Sequence, residues 1–233
     1  MHFSSWKYTL LLASMVLLMT MRFAFGGSEF GHLFTNVGVV VVVMTSLAAA
    51  STRAHSRILA FVLGFPILAV TAWSLFEYPH PSHQIFVMQR ASMTIFLAFT
   101  TVTILQDLID QRQITRDTLV GALCGYLLLG VIGTELFCWI DLVSPNSYSI
   151  ASPAASEMPP ETRWNQMQYF SFVTLSTLGY GDILPMTPLT RILACLEAIC
   201  GQFYLAVLVA GLVSVRVGQL GPPSQFGTKQ VEN

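Results

Sequence analysis

Apolar residues fall in long runs, each closed by a short polar or Gly/Pro-containing break. A helix needs about 20 apolar residues to cross a hydrocarbon core. The first run, residues 6–25 (Trp6 to Phe25), is long enough. A signal peptide with Lys7 in its leading region is the competing reading. No small-x-small cleavage pattern follows, however, and Met21-Arg22-Phe23-Ala24-Phe25 looks like an interfacial helix end, which favours a retained span. Further spans are expected at residues 33–50, 58–76 (with a bend near Gly64 and Pro66), 85–105, 118–143 and 189–215. Between the last two lie a polar, Pro/Ser/Ala-rich loop from Ser144 to Arg163 and a shorter, half-polar helix from Trp164 to Ser176. Asp107 to Asp117 reads as a charged connector that could lie as a helix on the membrane surface.

Composition agrees with this pattern. Of 233 residues, 54% are hydrophobic and only 10% charged, against about 25% charged in soluble domains, and the mean hydropathy is +0.64. The net charge is −1, and no basic block offers a surface for nucleic acid or anionic lipid. Cys124, Cys138, Cys195 and Cys200 all lie inside apolar runs at spacings that match no metal motif, so they read as small packing residues. Lys and Arg set the expected orientation. With a cytoplasmic N-terminus the inner side holds Lys7, Arg53, Arg57, Arg112, Arg116, Arg216 and Lys229. The outer side holds Arg22 and Arg163, with Arg90 and Arg191 near outer helix ends. That asymmetry favours six spans with both termini in the cytoplasm.

The stretch Thr174-Leu175-Ser176-Thr177-Leu178-Gly179-Tyr180-Gly181-Asp182 does not fit membrane packing. Irregular backbone at membrane depth survives only where it is packed in protein or lines a watery path. On the expected topology this segment enters and leaves from the outside, as a re-entrant loop lining a pore. Gly179 and Gly181 would let the backbone alternate between left- and right-handed regions. The carbonyls of Thr177, Leu178, Gly179 and Tyr180, with the Thr177 hydroxyl below, would stack as oxygen sites for a dehydrated cation once four copies surround an axis. Tyr180 would point outward and brace the strand.

Thr177-Leu178-Gly179-Tyr180-Gly181-Asp182 resembles the selectivity filter of potassium channels, usually Thr-Val-Gly-Tyr-Gly-Asp; Leu178 stands where valine is commoner. The resemblance extends over about residues 118–217: an outer helix (Thr118 to Val143), a pore helix (Trp164 to Ser176), an exit loop (Ile183 to Arg191) and an inner helix (Glu197 to Val215). It implies an all-α membrane protein of six transmembrane helices plus a re-entrant pore helix and filter, working as a homotetramer. It also implies K+ as permeant ion at Thr177, Leu178, Gly179 and Tyr180, with Gly181 completing the filter. No cofactor and no enzymatic activity are expected, and no nucleic-acid partner; membrane lipids surround the protein. Asp182 would be held behind the filter by Tyr169 or Trp164. Some relatives carry a glutamate four residues before the filter threonine; Val173 stands there instead, which implies a differently braced filter and altered inactivation. Gly201, 20 residues after Gly181, occupies a gating-hinge position or serves as a close-packing residue. Gln202, Leu205, Val209 and Val213 would face the cavity, with Val217 near its inner mouth. Thr187-Pro188 reads as N-cap and first-turn proline of the inner helix.

Glu135 and Glu197 lie within spans, where ionisable groups are costly. They are expected to brace the pore helix through hydrogen bonds, with a carboxyl kept protonated. The fourth span carries Arg90 where voltage-gated relatives carry several arginines. One charge crossing the full field supplies about 2.3 kcal/mol per 100 mV, at most about 9 for a tetramer, so steep voltage gating is not expected. Arg90 would instead snorkel to the interface. His80 and His83 could sense pH or a metal, although a plain polar loop is the simpler reading.

The expected organisation is a four-helix domain over residues 1–110, at the position of a voltage sensor but without its arginine repeat. A pore domain follows over 111–217, then a short cytoplasmic tail over 218–233. The expected function is passive, selective K+ flow across the plasma membrane. A weakly selective cation channel and a non-conducting membrane sensor or scaffold are the alternatives.

Overall fold

The computed structural model describes the backbone of residues 7–25, 29–49, 54–76, 83–110, 116–151, 158 and 160–219. It contains seven helices among these residues: α1 (Lys7–Phe25), α2 (Glu29–Ala49), α3 (Ala54–Phe76), α4 (His83–Asp110), α5 (Arg116–Val143), α6 (Pro160–Leu175) and α7 (Pro188–Gln219). Two three-residue strands, β1 (Tyr148–Ile150) and β2 (Ile183–Pro185), complete the described elements. The segments Lys7–Phe25, Val87–Leu108, Thr118–Val143 and Pro188–Leu208 are each long and apolar enough to cross a membrane, while α2 and α3 contribute the shorter apolar stretches Asn36–Leu47 and Ile58–Trp73. The protein is a mostly helical, multi-pass membrane protein. Helix α3 runs on past Pro66, where a bend was expected. The first part of the charged connector forms the end of α4, and residues 111–115 lie outside the described ones.

Three buried clusters hold the helices together. Val39, Val43, Ile67 and Phe96 join α2, α3 and α4. Tyr8, Leu11, Met15, Val42, Leu97, Ile104, Cys124 and Leu128 join α1, α2 and α4 to α5. Phe137, Tyr148, Met167, Phe170 and Ile183 join α5 and α6 to both strands. The second cluster makes α5 part of the core that α1 and α4 build. The Cys124 thiol also donates to the Tyr8 carbonyl at 3.3 Å. All four cysteines are free thiols.

The strands were not expected. They pair antiparallel, with Tyr148 opposite Pro185 and Ile150 opposite Ile183. Ala151 N–H donates to the Asp182 carbonyl and Met186 N–H to the Ser147 carbonyl, both at 2.9 Å. The polar loop after α5 is thereby stitched to the chain leaving residue 182.

Candidate pore segment

Helix α6 opens with Pro160, a residue suited to a first helical turn because it has no amide hydrogen to satisfy. The helix ends on a defined cap. Leu178 N–H returns to the Val173 carbonyl and Thr177 N–H to the Thr174 carbonyl, both at 2.9 Å. This pair of bonds makes a Schellman end, whose turning residue sits in the left-handed region and is usually glycine. Here that residue is Thr177, with φ 60°. Left-handed φ is costly for a β-branched residue, on the order of 1–3 kcal/mol. Gly179 (φ 59°) and Gly181 (φ 79°) follow, so every second residue from 177 to 181 is left-handed. The sequence pointed to the two glycines but gave no sign that Thr177 shares their conformation.

The segment is supported by α6 and α7. Tyr169 of α6 lies close to the Asp182 side chain, and its ring stacks on Tyr180 with centroids 6.4 Å apart and planes 11° apart. Gln202 of α7 donates from Nε2 to the Thr177 hydroxyl at 3.0 Å. Gly201 brings the α7 backbone against the end of α6: a Cβ there would lie 2.1 Å from the Leu175 carbonyl oxygen. The close-packing role weighed for Gly201 is thus realised. Val173, where a glutamate was the alternative, is buried and contributes the carbonyl that caps α6. Leu178 and Tyr180 are exposed in a single chain, at 59% and 66%. Leu205 is partly exposed on α7; the side chains of Val209, Val213 and Val217 lie outside the described residues. Thr187 caps α7 as expected, accepting from Thr190 N–H at 3.2 Å while its own N–H donates to the Thr190 hydroxyl at 3.1 Å.

Two polar clusters hold the other faces of α6, and the first corrects two expectations. Arg90 does not snorkel: its Nη1 lies 2.9 Å from Glu135 Oε1, with side chains 13% and 3% exposed. Trp164 does not hold Asp182; its Nε1–H donates to the same Glu135 oxygen at 3.0 Å. The Arg22 guanidinium lies 3.7 Å from the centre of the Trp164 ring system and that of Arg90 5.1 Å. Nearby, Arg163 of α6 pairs with Asp141 of α5, with Nη2 donating to Oδ1 at 2.7 Å. His80 lies outside the described residues, as does the side chain of His83.

The second cluster surrounds Glu197. Ser171 Oγ is 2.5 Å from Glu197 Oε1 and 2.6 Å from the Gly130 carbonyl. Gly133 leaves room for the carboxyl, since a Cβ there would come within 1.9 Å of Glu197 Oε1. A serine hydroxyl has one proton to give. If it goes to the Gly130 carbonyl, the contact with Glu197 is a hydrogen bond only when a neutral carboxyl supplies the second proton.

Comparison with known proteins gives this geometry its context. Residues 121–216 match the ion channel family. A 46-residue stretch is 46% identical to Two-pore potassium channel 5 of Arabidopsis thaliana, covering 20% of this chain and 11% of that protein. A 48-residue stretch is 46% identical to Inward rectifier potassium channel Kirbac3.1 of Paramagnetospirillum magnetotacticum, covering 21% of this chain and 16% of that one. The matches therefore span only a small fraction of these relatives' length. No solved structure matches. The stretch from α5 to α7 is thus similar to ion channels, and the relatives it matches are potassium channels.

Proposed function

We propose that four copies of the chain surround one pore and pass K+ selectively down its electrochemical gradient. The observation that carries this reading is the left-handed φ at Thr177, Gly179 and Gly181. Alternating handedness turns successive carbonyls toward the same side, as a stack of oxygen sites requires. Within this reading the carbonyls of Thr177, Leu178, Gly179 and Tyr180 replace the hydration shell of K+, with no cofactor. The Tyr169–Tyr180 stack, with Asp182 beside it, resists collapse of the ring. Neighbouring copies cover the exposed Leu178 and Tyr180. The end of α6 brings partial negative charge toward the axis, which favours a cation there. Six spans, cytoplasmic termini and a plasma-membrane location complete the proposal, with the inner cavity lined from Gln202 and Leu205 toward Val209, Val213 and Val217.

Purified protein in liposomes tests it. The wild-type chain should carry a K+ flux that Gly179→Ala and Tyr180→Ala abolish; flux unchanged in both variants would show that the pore lies elsewhere. Reversal potentials in mixed K+/Na+ gradients measure the selectivity: a value that ignores the K+ gradient would leave a weakly selective cation channel.

A further inference from the structure

Three elements outside the pore segment converge on one side chain of α6. Arg22 at the end of α1 covers the ring of Trp164, and the Arg22 carbonyl accepts from Asn165 Nδ2 at 3.2 Å. Arg90 of α4 lies over the same ring and pairs with Glu135 of α5. Glu135 Oε1 takes the indole N–H of Trp164 and the Arg90 guanidinium together. The contact is direct and nearly dry, and both donors meet the same Glu135 oxygen. A charge removed from water this far is held firmly only when its partner stays in place.

We propose that Arg90 is a positioning residue for the pore helix. Through Glu135 and Trp164 it transmits the placement of α1 and α4 to α6, and so to the segment that α6 caps at Thr177. The first four helices then act on the pore as a static brace, with Arg90 as a strut that does not cross the membrane field. The effect on conduction rests on the channel reading; the effect on α6 does not.

The test is amide hydrogen exchange of the full-length protein in nanodiscs, read in the peptides that cover residues 165–175. Loss of a buried ion-pair partner should raise exchange there about tenfold or more in Arg90→Gln and in Trp164→Phe, with Arg90→Lys close to wild type. Peptides from α2 and α3 around Val43 and Ile67 are the control. A rise confined to α6 supports the proposal. An unchanged α6, or an equal rise in α2 and α3, overturns it. In bilayer recordings, Arg90→Gln should shift open probability by the same factor at every voltage; a change in the steepness of voltage dependence would make Arg90 a gating charge and overturn the strut. A wild-type protein that passes no K+ would sink the channel reading and leave the exchange result standing.

Discussion

Glu135 and Glu197 are both buried carboxyls packed against α6, yet they are satisfied in opposite ways. Glu135 is 2% exposed and meets a guanidinium and an indole N–H. Glu197 is 9% exposed and meets one serine hydroxyl, and among the described residues it forms no ion pair. The second oxygen of each has no partner among the described residues. For Glu135 the charge on Arg90 compensates. Among the described residues, the phenols of Tyr126 and Tyr148 feel the charge of Glu197, and neither brings positive charge. An ionised carboxylate is therefore well placed at the first site and poorly placed at the second. One end of α6 is held by charge, and its middle by hydrogen bonds that suit a neutral acid.

The same replacement at both positions is the sharpest way to break this contrast. Glu135→Gln keeps an acceptor for Trp164 but leaves Arg90 without its buried counter-charge, a loss of about 3–5 kcal/mol. Glu197→Gln keeps the size and supplies an N–H for Ser171, so the loss should stay within about 1 kcal/mol. Unfolding followed by tryptophan fluorescence in one detergent compares the two. Equal losses would mean that Glu197 is also held as a charge.

How much of this could be read in the sequence depends on where each interaction is made. The segment from Thr177 to Pro188 is local, since its glycines, its acid and the Thr187-Pro188 cap lie close together in the chain, and its irregular backbone and the cap were legible. Both glutamates stood out because a carboxyl in an apolar run is expensive whatever it touches. Their partners were hidden. An arginine near a helix end looks the same in sequence whether it reaches headgroups or turns inward, and only the packing of α4 on α5 sends Arg90 to Glu135. Pairing of β1 with β2 joins segments more than thirty residues apart, each too short to carry an alternating pattern. Thr177 in a glycine conformation was invisible because local preference argues against it, and the cap at the end of α6 overrides that preference.

A smaller effect probes the space around Glu197. Gly133→Ala would place a methyl group against Glu197 Oε1 and Ser171 Oγ. Overpacking of this kind costs about 1–3 kcal/mol. Combining it with Glu197→Ala should cost less than the sum of the two single changes, because the truncated side chain vacates the space the methyl needs. Additive losses in the same unfolding assay would mean that α5 and α7 yield independently.

The smallest expected effect is at Ser171, and it separates the two ways of placing its proton. Ser171→Ala removes the hydroxyl between α5, α6 and α7. The Gly130 carbonyl still accepts from Thr134 Oγ1 at 2.8 Å, so it is not stranded. Glu197 then loses the one hydrogen bond its side chain makes among the described residues, at 2.5 Å. If the acid is neutral the loss is that of an ordinary hydrogen bond, about 1 kcal/mol. If it is ionised, a buried carboxylate is left bare and the loss rises toward about 3 kcal/mol. Glu197→Gln in the Ser171→Ala background decides between these: with a neutral acid the second change adds almost nothing, whereas with an ionised one it restores much of the lost stability by removing the charge.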